Sequence, residues 1–296
     1  MSDMNKSNNI MILGSIALDS IQTKYGKEKD LLGGSATYAT IAAGIFSSII
    51  PVGIVGNDFP QSGHDIFSKY SYNLNNLITK SGSTFRWGGK YHDNGDDRDT
   101  IFTDLGVFET FDPVIHNDDK NVSWIFLANI HPSLQLKVLN QCIGKPKVVL
   151  DTMNLWIQTS KDELIEVIKC SDILLINESE LIELCESENI KNSAHEILEL
   201  GCEKIIVKKG SKGASCYTKN NEINIGVYPI KKVVDPTGAG DVFGGGFISG
   251  LVEGLSTYES MKRGTALASF CIEDFGVNRL INIELEELNY RINLIE

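Results

Sequence analysis

A run of small residues near the C-terminal end, DPTGAGD at 235–241, constrains this chain of 296 residues more than any other stretch. The sequence predicts a strand over 223–234 before it and an apolar helix over 242–252 after it. The first N–H groups of a helix have no partner within the helix, and the helix dipole adds partial positive charge there. Because the small residues leave these amides uncovered, the turn should bind an anion, above all a phosphate.

Asp241 puts a carboxylate in the first turn of that helix, next to the predicted anion site. Like charges repel, so we interpret Asp241 as a general base that takes the proton from a hydroxyl attacking phosphorus. An acidic residue that only compensates the helix dipole is the alternative. Each glycine costs a helix about 1 kcal/mol relative to alanine. Four of them therefore predict very close packing against backbone or ligand: Gly244, Gly245, Gly246 and Gly250.

The stretch 233–247 resembles the second signature of the PfkB (ribokinase-like) family of carbohydrate and nucleoside kinases, and every position of that signature is filled acceptably. The resemblance implies an α/β fold with a central, mostly parallel sheet between helices and a small β-sheet lid. It implies that Asp241 is the catalytic base and that the amides of Gly238, Ala239 and Gly240 form the anion hole. ATP and Mg²⁺ would be the cofactors and a small sugar the substrate. The alternatives are a nucleoside kinase and a non-catalytic protein that binds a sugar or nucleotide on the same fold.

The composition and charge argue against several other classes of protein. There are 27 Lys and Arg against 39 Asp and Glu, and the net charge of −12 argues against nucleic acid or an anionic membrane as the main partner. None of the six cysteines lies in a CxxC pair, which argues against zinc and favours reduced thiols. Because there is no apolar leader and no long apolar run, we expect residues 1–296 to form a single cytoplasmic domain.

From residue 123 onward, predicted strands alternate with predicted helices, which indicates a parallel sheet with helices on both faces. The strands are predicted at 123–128, 147–151, 172–176 and 204–208, and the helices at 133–143, 161–169 and 179–200. Ligands bind at the carboxyl ends of the strands in such sheets. The polar residues expected at this edge of the sheet include Asn129, Asp151, Asn154 and Asn177.

Two segments, 15–33 and 84–108, are predicted to form the lid. The second segment is rich in β-forming residues on both sides of an acidic, glycine-containing turn at 93–97, which indicates a hairpin. In the family, such strands cover the sugar, and the lid can also join two copies of the chain into a homodimer. The candidates to face the sugar, with ordinary strand packing as the alternative, are Arg86, Trp87 and Tyr91.

The resemblance also implies substrate-binding residues by position. In the family, an Asp shortly after the first strand holds sugar hydroxyls, and Asp19 stands there. The paired glycines Gly33 and Gly34 precede a helix and would let the substrate approach the backbone. The family's usual Asn in that helix is missing and Tyr38 occupies the region, so the resemblance does not say which sugar is bound. Further substrate contacts are expected from Asn129, Asn154 and Asp241.

The nucleotide and its metal are assigned in the same way. Asn177 and Glu180 match the family's NxxE motif, which orders Mg²⁺ and phosphate through water, although such a pair is also an ordinary helix cap. In the family, the turn after the strand at 204–208 lies along the nucleotide. The expected nucleotide contacts, of which the last two would line an adenine pocket or else belong to the core, are Lys208, Gly210, Gly213, Ala266 and Phe270. Asp235 and Thr237 stand where the family holds K⁺.

Overall fold

Within residues 9–92 and 98–296, which the computed structural model describes, the chain forms two β-sheets, one of nine strands and one of four. The turn predicted at 93–97 lies outside the described residues. The strands are β1 (Asn9–Leu13), β2 (Ala17–Thr23), β3 (Gly26–Gly33), β4 (Ser48–Gly56), β5 (Leu77–Lys80), β6 (Phe85–Tyr91), β7 (Arg98–Asp104), β8 (Trp124–Leu127), β9 (Lys147–Asp151), β10 (Ile173–Asn177), β11 (Lys204–Lys208), β12 (Ala214–Tyr217) and β13 (Glu222–Ile225). The α-helices are α1 (Ser35–Gly44), α2 (Gln61–Tyr70), α3 (Pro132–Leu139), α4 (Asn154–Thr159), α5 (Lys161–Lys169), α6 (Glu178–Cys185), α7 (Ile190–Glu199), α8 (Ala239–Val252), α9 (Thr257–Cys271) and α10 (Leu285–Leu294).

The nine-stranded sheet runs in the order β13-β12-β11-β10-β9-β8-β1-β4-β5. The strands from β11 to β5 are parallel, and β12 and β13 form an antiparallel hairpin at one edge. The strands predicted from residue 123 onward are confirmed as β8 to β11. The helix predicted at 179–200 is two helices, because Glu186 takes a left-handed backbone conformation (φ 54°) that ends α6.

Both faces of the large sheet are buried, as expected for parallel strands covered by helices. In β1, Ile10 and Ile12 belong to one hydrophobic cluster with residues of α1, α8 and α9. Met11 and Leu13 belong to another, with residues of α5, α6 and α7. This alternation follows from the period of two in a strand. The structure thus confirms a mostly parallel sheet between two layers of helices.

The glycines of α8 confirm the predicted close packing. A Cβ at Gly245 would lie 2.5 Å from the Ala39 carbonyl oxygen in α1, and one at Gly246 would lie 2.9 Å from the Cα of Gly264 in α9. A larger side chain at either position would push the helices apart. The glycines therefore let α8 lie backbone to backbone between α1 and α9, which fixes the start of α8 relative to the sheet.

The four-stranded sheet, in the order β3-β2-β6-β7, is called the lid from here on. Both predicted lid segments supply strands to it, and β2 pairs in parallel with β6. One face of the lid packs on the rest of the protein through a small cluster of Ile21, Tyr91 and Phe275, which Val234 also contacts. The lid is thus closed against the segment that leads into α8.

The strand predicted over 223–234 is wrong beyond Ile225, where β13 ends. Pro229 has no amide to donate to a ladder, and two other amides of this stretch bond elsewhere. Gly226 N donates to the Glu296 backbone oxygen (2.6 Å), and Val234 N donates to the Ile272 carbonyl (2.7 Å). An irregular segment therefore leads into α8, and Asp241 does not follow a strand.

All six cysteines are unpaired thiols, and Cys202, Cys216 and Cys271 are buried. Among the helices of residues 9–92 and 98–296, none combines the length and the apolar character that crossing a membrane requires.

Candidate active site

The turn before α8 has the geometry of an anion site. Gly238 precedes the helix with φ 78°, and a Cβ on it would lie 2.4 Å from the Tyr38 ring, so the position requires glycine. Ala239 and Gly240 begin α8 and leave its first amides free of side-chain cover. A Cβ at Gly240 would lie 3.4 Å from Lys208 Nζ. An ammonium group therefore stands beside the predicted anion hole.

Asp241 is the acidic residue of the first turn of α8 and is half-buried. Burial raises its pKa to about 7, and the nearby Asp151 carboxylate acts in the same direction, against the opposing charges of Lys208 and Arg98. A carboxylate whose pKa lies near neutral pH can both accept and release a proton under ordinary conditions. The position and the pKa of Asp241 therefore suit a general base.

Lys208 and Asp151 form an ion pair at the carboxyl ends of β11 and β9. Lys208 Nζ lies 2.8 Å from Asp151 Oδ1, and the two side chains are only 12% and 4% exposed. Burial disfavours the charged form of Lys208, but the carboxylates of Asp151 and Glu180 outweigh this effect and raise its pKa. Lys208 therefore stays charged next to Gly240. The sequence predicted Asp151 at this edge of the sheet, but it did not predict the ion pair with Lys208.

Asn177 and Glu180 form the cap of α6. The Asn177 amide donates to Glu180 Oε2 (2.9 Å), and Asn177 Nδ2 donates to Glu180 Oε1 (3.1 Å). Burial raises the pKa of Glu180, against the charge of Lys208. The helix-cap interpretation is thus observed. In the described residues, no cluster of three or more His, Cys, Asp or Glu could hold a metal ion, but Mg²⁺ keeps several waters and needs few carboxylates.

Asp19 lies in β2 of the lid and is 4% exposed. Burial raises its pKa to about 8, and the charges of Asp235 and Asp241 add to the effect. A Cβ at Gly33 would lie 1.9 Å from Asp19 Oδ2, so this carboxyl rests directly on the glycine backbone. Gly34 follows with φ 90° and precedes α1. The structure therefore brings Asp19 and the paired glycines together, within electrostatic reach of Asp241.

Asn129 is occupied by contacts within the protein. Its Oδ1 accepts from Trp156 Nε1 (2.9 Å), its Nδ2 lies 3.1 Å from Met153 Sδ, and its carbonyl accepts from Ser35 Oγ (2.8 Å). Asn154 is exposed at the first residue of α4. Asn129 thus holds neighbouring residues in place, and its role as a substrate contact stays a prediction, as does that of Asn154.

The predicted nucleotide contacts fall into two groups. Gly210 and Gly213 lie in the turn after β11 with φ 55° and 88°, and a Cβ at Gly213 would lie 2.0 Å from the Ile225 carbonyl oxygen. Ala266 and Phe270 are 0% exposed within the hydrophobic cluster of α8 and α9. Both side chains thus belong to the hydrophobic core, and their role in an adenine pocket stays a prediction.

Asp235 and Thr237 make hydrogen bonds that stabilise the segment leading into α8. Asp235 is 1% exposed, and its two carboxylate oxygens accept from the amides of Thr237 (2.9 Å) and Gly276 (3.0 Å). Burial raises its pKa. Thr237 Oγ1 donates to Tyr91 Oη of the lid (3.0 Å). Tyr91, predicted to face the sugar, therefore contacts the turn before α8 instead.

Arg86 and Trp87 are neighbours in β6, so their side chains project to opposite faces of the lid. Arg86 forms ion pairs with Asp30 and, over 2.8 Å, with Asp58, which supports a structural role. Trp87 lies beside Asp19 in the ladder, and Arg98 lies 5.7 Å from its ring. The charge of Arg98 also opposes the rise in the pKa of Asp241, and the sequence did not point to this residue. A single arginine beside an acidic turn forms no pattern that would indicate a functional role.

The model of the family described as pfkB family carbohydrate kinase matches residues 133–283. This chain belongs to that family. A cytidine kinase of Thermococcus kodakarensis is 26% identical over 90% of this chain and 97% of the relative. A nucleoside kinase of Methanocaldococcus jannaschii is 28% identical over 82% of this chain and 80% of the relative.

Solved structures of a nucleoside kinase and a ribokinase share the fold. The crystal structure of the M. jannaschii nucleoside kinase, an archaeal member of the ribokinase family, has a TM-score of 0.80 at 26% identity and covers 98% of this chain and 99% of its own. The ribokinase of Arabidopsis thaliana has a TM-score of 0.78 at 21% identity, covering 97% and 99%. This PfkB-family chain is therefore a phosphotransferase that uses ATP to phosphorylate a sugar or a sugar-like substrate.

Proposed function

We propose that this kinase transfers the γ-phosphate of ATP to a substrate hydroxyl held between the lid and the start of α8, with Asp241 as the general base. The observation that carries the proposal is the position of Asp241 in the first turn of α8, with a pKa raised to about 7. At neutral pH a substantial fraction of the carboxyl is ionised and ready to accept the hydroxyl proton.

The transferred phosphoryl group is stabilised by the amides of Gly238, Ala239 and Gly240, aided by the Lys208 ammonium. Positive charge and N–H dipoles fixed in advance are the main means by which proteins stabilise phosphoryl transfer. Lys208 suits this role because Asp151 holds it beside Gly240. Gly210 and Gly213 border the same strand end as Lys208 and are proposed to lie along the nucleotide.

Magnesium would be held through water by Asn177 and Glu180. The donor set fits the ion, because Mg²⁺ prefers oxygen ligands and retains most of its waters. Glu180 is buried next to Lys208 and the end of β10, on the phosphate side of the site. When bound, the ion would neutralise charge on the phosphates.

A nucleoside is the second candidate substrate beside a free sugar. Trp87 stands next to Asp19 on the lid and offers a flat aromatic surface for a base. Relatives that match most of the chain include a cytidine kinase and a nucleoside kinase, and also an ATP-dependent 6-phosphofructokinase, which acts on a sugar phosphate by its name. In both cases Asp19, with Gly33 and Gly34, is proposed to bind the sugar hydroxyls, and a carboxyl with a pKa of about 8 can donate a hydrogen bond at neutral pH.

A monovalent cation, K⁺ in the family, is proposed at Asp235 and Thr237. Asp235 is a buried carboxylate that receives backbone amides. The Tyr38 hydroxyl is buried without a hydrogen-bond partner in the described part of the chain, and Asp235 is among the charges that raise its pKa, after the larger effect of burial. A buried carboxylate and a free hydroxyl oxygen are suitable ligands for such an ion.

We further propose that residues 1–296 form one kinase domain and that the protein is cytoplasmic.

A homodimer formed through the lid is a further part of the proposal. The edge strand β7 of the lid exposes Ile101 (54%) and Phe102 (41%), and an apolar exposed edge is a surface suited to pairing with a second copy. Light scattering at working concentration tests the dimer. A mass of one chain would contradict it.

The test of the function is phosphorylation of a panel of nucleosides and free sugars, with ATP and Mg²⁺. We expect acceptor-dependent ADP formation with at least one member of the panel and loss of activity when Mg²⁺ is chelated. ATP hydrolysis that no acceptor stimulates, or activity independent of Mg²⁺, would contradict the proposal.

A further inference from the structure

A hydrogen bond joins the lid to the turn before α8. Thr237 Oγ1 donates to Tyr91 Oη over 3.0 Å, between residues 146 positions apart in the chain. Tyr91 is the last residue of β6 in the lid, and Thr237 immediately precedes Gly238. The bond therefore connects the cover of the substrate site with the residues that would bind the phosphoryl group.

On the lid side of this hydrogen bond, packing fixes the position of Tyr91. The Tyr91 side chain packs with Ile21 and Phe275, and the residue is only 7% exposed. Burial raises the pKa of Tyr91 to about 12, so the phenol stays neutral and keeps its proton. Across the ladder, Tyr91 is paired with Arg98 of β7. The hydroxyl thus has a fixed position whenever the lid is closed.

The other side of the bond leads directly to the anion hole. The Thr237 amide donates to Asp235 Oδ1 (2.9 Å), and the Thr237 carbonyl accepts from Cys271 Sγ (3.4 Å). Among these three hydrogen bonds of Thr237, only the one from its hydroxyl to Tyr91 involves the lid. The next residue, Gly238, rests on the Tyr38 ring and cannot move towards it. A displacement of Thr237 would therefore shift the amides that follow.

We propose that Tyr91 is a positioning residue, which sets the anion-hole amides for phosphoryl transfer when the lid closes over the substrate. Closure would bring the Tyr91 hydroxyl onto Thr237 and fix residues 238–240 in the orientation that the transition state needs. Small errors in the placement of such donors lower the rate of chemistry more than they lower substrate binding. This inference rests on the proposed function, because it assumes that these amides bind the transferred group.

The experiment is a double-mutant cycle of Tyr91→Phe and Thr237→Val, with kcat, both KM values and the melting temperature measured for each variant. We expect each single change to lower kcat about tenfold with KM values within about twofold of wild type. The double variant should be no slower than the slower single one, because both changes remove the same bond. Thr237→Ser, which restores the hydroxyl, should recover most of the rate that Thr237→Val loses.

The control is Tyr25→Phe, which removes a hydroxyl from an exposed tyrosine of the same lid and should keep wild-type kcat. Rate losses that multiply in the double variant, or a wild-type kcat for Tyr91→Phe even with a lower melting temperature, would overturn the inference. Asp241→Asn is measured in parallel. If it is inactive while the cycle shows no coupling, this inference alone fails; if it keeps the wild-type rate, the proposed function fails and the inference with it.

Discussion

Lys208 Nζ and Asp151 Oδ1 are 2.8 Å apart, at the ends of β11 and β9, which are separated by β10 in the sheet. The pair holds a charged ammonium group beside Gly240, and it also influences the proposed base. The Asp151 carboxylate raises the pKa of Asp241, second to burial, whereas Lys208 opposes that rise. The base, the cation and the buried carboxylate therefore titrate as a connected set.

The pH dependence of kcat/KM tests this connection. Asp241 accepts a proton only when ionised, so kcat/KM should rise with pH through about 7, the value to which its pKa is raised. Asp151→Asn removes a charge that raises this pKa, and the rising limb should move to lower pH. The matched control Asp112→Asn removes an exposed carboxylate paired with Lys137 and should leave the limb in place. A limb that does not move in Asp151→Asn would contradict the assignment.

Asp19 should make the protein less stable as pH rises. Its pKa is raised from 3.8 to about 8 in the folded protein, so between these pH values the folded state binds more protons than the unfolded state. Stability therefore falls as pH increases through this window. Asp19→Asn cannot ionise and should melt at a higher temperature than wild type at about pH 8, and near wild type at about pH 4.

The same variant should bind substrate less well, with KM for the acceptor raised about tenfold, because a hydroxyl contact is altered. Thermal melting at the two pH values and initial rates at one pH separate the two effects. An Asp19→Asn variant that melts in parallel with wild type across the pH range would contradict the raised pKa.

The anion-binding turn and Asp241 were predictable from the sequence because they lie in one short stretch of the chain. Gly238 to Asp241 are consecutive, and their pattern alone indicates a helix start that binds an anion. The pairs Lys208–Asp151 and Thr237–Tyr91 lie 57 and 146 residues apart, and only the fold brings them together. The strand expected over 223–234 failed for a similar reason. Its apolar residues suit a strand, but its amides bond to Ile272 and Glu296, which no local pattern reveals.

Gly238→Ala should abolish activity and lower stability more than the same change at a matched position. Gly238 and Gly254 have similar left-handed φ angles of 78° and 84°. An added Cβ meets the Tyr38 ring at 2.4 Å in the first case and nothing within 4 Å in the second. Gly254→Ala should cost about 1–2 kcal/mol of stability from backbone strain and remain active.

Chemical denaturation and steady-state rates check this pair. Equal losses of stability in the two variants would show that the Tyr38 ring does not constrain the turn. An active Gly238→Ala enzyme would contradict the assignment of this turn as the anion hole.

The central claim is that Asp241 is the general base, and single-turnover phosphorylation by Asp241→Asn tests it most directly. The two side chains are nearly equal in size, so the fold and nucleotide binding should survive.

The control Asp162→Asn changes another first-turn acid, in α5, and should react like wild type. If Asp241 is the base, the rate of phosphorylation should fall by about 10²–10⁴. The melting temperature at neutral pH should not fall, because the change removes a carboxyl whose pKa burial raises to about 7. If it only compensates the helix dipole, the change should cost about 0.3–1 kcal/mol of stability and leave turnover intact. A stable Asp241→Asn enzyme that phosphorylates its substrate at nearly the wild-type rate would contradict the account.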